Sequence, residues 1–106
     1  MEIKIGQRFI GSNHPPYFIA DIAANHDGDL NRAFKLIDLA KAAGADAAKF
    51  QNFQAAQIVS KKGFESLGGQ MSHQRSWKKS VFEVYQDASL DFDWTAKLKK
   101  HCDAVG

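Results

Sequence analysis

At 106 residues the chain has room for one domain at most. Its 44% hydrophobic and 25% charged residues are ordinary for a globular protein, and a formal net charge of +2 is too small to argue for nucleic acid or a membrane surface as a partner. The single cysteine, Cys102, excludes an internal disulfide and fits a reducing compartment. No apolar run approaches the roughly 18 residues of a membrane helix, and Met1-Glu2-Ile3-Lys4-Ile5 has no long apolar core of the signal-peptide kind. A cytoplasmic protein is the expectation.

Ile3 to Ile10 alternates and turns near Gly6-Gln7, the pattern of a short β-hairpin. Asn13-His14-Pro15-Pro16 reads as a rigid linker. Tyr17 to Ala24 reads as a first buried strand, followed by turn residues Asp27-Gly28-Asp29, with Asp29 placed to cap a helix. Leu30, Ala33, Phe34, Ile37 and Ala40 recur at helical spacing, and Gly44 stands where a helix ends. Ala45 to Phe50 then returns as a second strand, which makes a parallel βαβ unit. Alternation puts Ala47, Lys49 and Gln51 on one face of that strand and Ala48 and Phe50 on the other.

Gln54 to Arg75 has no clean period, and so long an excursion is usually functional or mobile. A helix is predicted from near Ser76 through Val81, Phe82 and Tyr85. Another follows from about Asp91 as its cap, with Trp94, Leu98, His101 or Cys102, and Val105 on its apolar face. Two inward strands cannot close a barrel, which usually takes roughly 250 residues. The sequence therefore reads as the front of a larger protein.

Strand ends of a parallel α/β fold are where ligands bind, which singles out Asp21, Lys49 and Gln51. An inward ammonium such as Lys49 suits a carboxylate or phosphate; the alternative from spacing alone is a structural ion pair between Lys49 and Asp21 on adjacent strands. Asp21 could orient a hydroxyl or a water, or simply hold the turn that follows it. Gln51 is a contact candidate or a plain core amide. Asn25 and His26 are read as fixing the turn through side-chain to backbone hydrogen bonds, because a histidine with no second ligand at suitable spacing is weak evidence for a metal. His14 and His73 earn no more, although His73 and Gln74 sit in a loop that could act as a lid. The pairs Lys61-Lys62, Lys78-Lys79 and Lys99-Lys100 read as solvated faces, Cys102 as a small core residue, and no Gly-rich phosphate loop is present.

Phe18-Ile19-Ala20-Asp21-Ile22-Ala23-Ala24-Asn25-His26-Asp27-Gly28-Asp29-Leu30 resembles the first strand and turn of the sialic acid (N-acetylneuraminate) synthase family, and Ala42-Ala43-Gly44-Ala45-Asp46-Ala47-Ala48-Lys49-Phe50-Gln51 resembles its second strand. The resemblance implies an α/β fold: the N-terminal part of a (β/α)₈ TIM barrel behind a short hairpin. The rest of the barrel and a C-terminal antifreeze-like domain would lie outside this chain. It implies an enzyme that condenses phosphoenolpyruvate with an N-acylated amino sugar, N-acetylmannosamine or a related diacetamido sugar, to a nine-carbon 2-keto acid with release of phosphate. It further implies a divalent metal, Mn²⁺ or Mg²⁺, held by histidines of later strands, and a homodimer. Asp21 is then the catalytic candidate, with Lys49 and Gln51 binding substrate. Two residues depart from the family pattern, which usually has Glu at Asp21 and Gly at Ala23; Asp keeps the charge but its oxygens retreat by roughly one methylene. The rivals are another phosphoenolpyruvate-dependent 3-deoxy-sugar-acid synthase and a non-catalytic carbohydrate-binding or assembly module on the same scaffold.

Overall fold

The computed structural model describes residues 1–66 and 76–106. Strands β1 (Glu2–Ile5) and β2 (Arg8–Gly11) pair antiparallel through a turn at Gly6-Gln7, where Gly6 supplies a φ of 59°. The chain then runs without regular structure to β3 (Ile19–Ala23), passes through α1 (Leu30–Ala42) and returns as β4 (Ala47–Phe50), parallel to β3. Both strands are shorter than the apolar runs that announced them, because Tyr17-Phe18 and Ala45-Asp46 serve as connections.

Local chemistry explains where α1 begins and ends. The Asp29 carboxylate accepts from Asn31 N at 2.8 Å and Arg32 N at 3.2 Å, satisfying two of the unpaired donors of the first turn. At the other end Gly44, with a φ of 90°, donates to Lys41 O, and Ala45 N reaches back to Ala40 O at 3.0 Å. This reversal is a Schellman ending, which needs the left-handed backbone that glycine adopts without a Cβ penalty.

After β4 come α2 (Ala55–Ile58) and α3 (Lys61–Ser66), two short helices in the stretch whose pattern showed no period. Four and six residues are too few to display a helical repeat. Residues His73 and Gln74, the lid candidates, lie outside the described residues. Helix α4 (Val81–Asp87) starts after Ser80 rather than near Ser76: Ser80 Oγ accepts from Glu83 N, and the Glu83 carboxylate accepts from Ser80 N at 2.9 Å, a reciprocal cap. Helix α5 (Trp94–Val105) likewise starts later than Asp91. The Asp91 carboxylate accepts from Asp93 N at 3.0 Å and Asp91 O from Trp94 N, so Asp91 shapes the turn ahead of the helix instead of capping it.

The core lies on one face of the β3–β4 pair. Ile22, Ala33, Ile37, Leu90 and Leu98 are buried together, with Phe34, Ala48, Phe50, Trp94, Cys102 and Val105 packed around them. Ala48 and Phe50 therefore face the helices, as alternation requires. His101 stacks on Phe34 at 4.6 Å and sets its Nε2 2.7 Å from Asp38, so both His101 and Cys102 border α1. Burial raises the Cys102 thiol pKa, as suits a packed side chain rather than a nucleophile. The opposite face of the sheet is open: Ile19 is 61% exposed, and Asp21 and Lys49 are exposed beside it.

Candidate functional site

Parallel pairing sets Ile19 opposite Ala47, Ala20 opposite Ala48 and Asp21 opposite Lys49. The register then slips, so that Ala23 rather than Ile22 faces Phe50. Ile22 is the extra residue of a β-bulge, a feature that recurs beside binding sites because it re-aims side chains. Its side chain is buried in the core, while Asp21 stays on the open face.

Asp21 and Lys49 are brought together there. Lys49 Nζ lies 3.2 Å from Asp21 Oδ1 and 3.4 Å from Oδ2, with the two side chains 47% and 63% exposed. Gln51 follows just beyond β4, is exposed, and its N–H donates to Ala23 O at 3.0 Å. The three residues singled out by sequence thus share one strand end. The ion pair is present, but it stands in solvent rather than in an interior. A pair so exposed contributes about 1 kcal/mol or less, so either partner can exchange the other for a ligand at small cost.

The turn after β3 is built to hold this rim. Asn25 N and Asn25 Nδ2 both donate to Ile22 O, at 3.0 and 2.9 Å. Ala23, at the first central position of that turn, has a φ of 52°, a conformation that favours glycine. The carbonyl of Asn25 accepts from Arg32 Nε at 2.8 Å, and Arg32 also pairs with Asp27 at 3.3 Å, tying the turn to α1.

His26 is fully buried. Its Nδ1 accepts from Gly28 N at 3.0 Å, which assigns the proton of the neutral ring to Nε2. The ring meets Trp94 edge to face at 5.4 Å, and Nε2 has no hydrogen-bond partner among the described residues. Burial pushes its pKa below the ordinary 6.5, against the smaller opposing pull of the Asp27 charge. The turn-fixing reading of Asn25 and His26 holds in both cases. The anchoring of the turn to α5 through Trp94, and the bond from Asn52 Nδ2 to Thr95 Oγ1 at 2.7 Å, join residues too distant in sequence to be paired by inspection.

Among the described residues no three His, Cys, Asp or Glu side chains converge in a group able to hold a metal ion. No helix among the described residues is long and apolar enough to cross a membrane.

A strand-helix-strand unit with parallel strands defines an α/β architecture, and comparison with known proteins narrows it. The NeuB family profile matches residues 36–106, more than half of the chain. The chain belongs to the NeuB family. It is 35% identical over 101 residues to the spore coat polysaccharide biosynthesis protein SpsE of Bacillus subtilis, covering 93% of this chain and 25% of that protein. It is 33% identical over 99 residues to the human N-acetylneuraminate-9-phosphate synthase, covering 93% and 27%. Its fold superimposes on the crystal structure of the N-acetylneuraminic acid (sialic acid) synthetase of Leptospira borgpetersenii, solved with citrate, with a TM-score of 0.74 and 27% identity over 99% of this chain and 31% of that one. The chain thus spans about a quarter of the length of the curated relatives it matches.

Proposed function

We propose that the protein to which this chain belongs condenses phosphoenolpyruvate with an N-acylated amino sugar, N-acetylmannosamine or a related diacetamido sugar. The product is a nine-carbon, sialic-acid-like 2-keto acid, and phosphate is released. The observation that carries the reading is the Asp21–Lys49 pair at the C-terminal ends of two parallel strands, in a chain of this family. The open face of the β3–β4 sheet, with α1 and α5 packed on the other, supports a (β/α)₈ barrel of which these residues form the front and whose lumen that face would line.

In this reading Lys49 exchanges its exposed carboxylate partner for the carboxylate or phosphate of phosphoenolpyruvate, where a compact ammonium is a strong donor. Asp21, released from full pairing, accepts from the water that adds at C2 or from a sugar hydroxyl, and holds it against the reacting carbon. Gln51 donates or accepts at the sugar from the same rim. In the overall reaction C3 of phosphoenolpyruvate bonds to the aldehyde carbon, water adds at C2, and the C2–O bond to phosphate breaks. A divalent metal, Mn²⁺ or Mg²⁺, belongs to the proposal as the group that polarises the aldehyde, with ligands on segments outside these residues. A cytoplasmic homodimer without nucleic-acid or membrane partners completes it.

The test is phosphate release by the complete gene product with phosphoenolpyruvate, each sugar and added Mn²⁺. Release that requires both substrates, and falls with Asp21→Asn at near-normal phosphoenolpyruvate affinity, is expected. No sugar-dependent release with any N-acylated amino sugar would remove the proposal in favour of a binding module or a different synthase.

A further inference from the structure

We propose that Asn25 is a positioning residue for Asp21, acting through the bulge at Ile22; the inference rests on the reading of Asp21 given above. Three contacts meet at this one side chain and its backbone. Ile22 O receives both Asn25 N at 3.0 Å and Asn25 Nδ2 at 2.9 Å, so both lone pairs of that carbonyl are directed to a single residue. Asn25 O in turn accepts from Arg32 Nε at 2.8 Å, which fixes Asn25 to the first turns of α1. The carbonyl so held belongs to the residue that the register leaves unopposed between Asp21 and Ala23.

The consequence concerns geometry at the rim. An unpaired bulge residue can rotate its peptide planes, and a rotation at Ile22 would swing the adjoining Asp21 away from Lys49. It would also turn Ala23 O away from Gln51 N, which it meets at 3.0 Å. The two bonds from Asn25 suppress that rotation. Ala23 needs the same support, since its φ of 52° is one that an alanine leaves when free to do so. The side-chain donor matters separately from the turn itself, because the backbone bond from Asn25 N is available to any residue at this position.

The experiment is a double-mutant cycle in the complete gene product, reading kcat, the KM for phosphoenolpyruvate and the melting temperature. Asn25→Ala is expected to lower kcat about ten- to a hundredfold, the size of effect that follows from a misplaced catalytic group, with KM little changed. Combined with Asp21→Asn, Asn25→Ala should cost almost nothing further, since the group it positions is already disabled. Should Asn25→Ala fail to accumulate as folded protein, the near-isosteric and uncharged Asn25→Leu, which keeps the backbone bond and loses the side-chain amide, gives the same pattern. An equal loss with and without Asp21→Asn, or a lower melting temperature at unchanged kcat, would overturn the inference while leaving the proposed reaction standing. Wild-type kcat in Asp21→Asn alone would instead overturn the reading of Asp21, and the inference with it.

Discussion

The two ends of the β3–β4 pair each carry an acid and a base, and they are built on opposite principles. At the N-terminal end Asp46 is saturated: its carboxylate accepts from Phe18 N at 2.8 Å and pairs with Arg8. Arg8 also donates to Pro16 O at 3.1 Å and lies over the Tyr17 ring at 5.1 Å. The Phe18 N–H, with the Arg8 charge adding to it, holds the Asp46 carboxyl below its ordinary pKa of 3.8. At the C-terminal end Asp21 and Lys49 meet each other across 3.2 Å in solvent, next to a bulge and a left-handed alanine. The first end spends its charges on joining the hairpin to the sheet. The second leaves its charges available and keeps its strain, as ligand-binding rims do.

The largest effect that would break this contrast is an exchange of phenotypes between the ends. In the complete gene product, Lys49→Met should reduce kcat/KM for phosphoenolpyruvate about ten- to a hundredfold, the loss of one charged hydrogen bond, while the melting temperature moves little. Asp46→Ala should do the reverse, lowering the melting temperature at near-normal kcat, because it strips Phe18 N of its acceptor and Arg8 of its carboxylate partner. Steady-state kinetics and thermal melts on the two variants decide the matter. A Lys49 variant that melts early but turns over normally would make the C-terminal pair structural as well.

A smaller effect separates the turn from the rim it supports. His26 is neutral in the fold because burial lowers its pKa below 6.5. Below about that pH the unfolded chain binds a proton that the folded ring resists, so the unfolded state holds more protons and stability falls as pH falls. Above it this contribution is flat. Thermal melts between pH 7.5 and 5 should therefore slope downward on the acid side, and His26→Gln should flatten that part of the slope. Parallel slopes for the two proteins would show that His26 protonates as easily in the fold as out of it.

Sequence made the unit legible where the deciding chemistry is local. Asp29 and Gly44 bound α1 because a cap and a left-handed exit depend on residues within a turn or two. That Lys49 and Asp21 lie on adjacent strands within reach of an ion pair was legible as one alternative, and the register sets them directly opposite. The start of α4 is set by Ser80 with Glu83 three residues on, a reciprocal cap that moves it past the expected start near Ser76. What could not be read was non-local. The seating of Trp94 against His26 joins residues on different elements, and the bulge at Ile22 leaves the apolar pattern of β3 intact.

The smallest effect tests whether the C-terminal rim stores strain at all. Ala23 stands where the family resemblance expects glycine, and its φ of 52° places its Cβ against its own backbone. A left-handed residue other than glycine costs roughly 1–2 kcal/mol, and Ala23→Gly would remove that cost. The same change loosens the unfolded chain, which takes back about 0.4–1 kcal/mol. The expected net is a stabilisation of at most about 1.5 kcal/mol by difference of those two ranges, seen as a modest rise in melting temperature or denaturation midpoint. Turnover should not rise with it, because Asn25 already holds the bulge and a glycine adds no contact at Asp21. A clear destabilisation would mean that the backbone at residue 23 is relaxed in the protein, and the contrast between a strained and an unstrained end would then rest on the exposed Asp21–Lys49 pair alone.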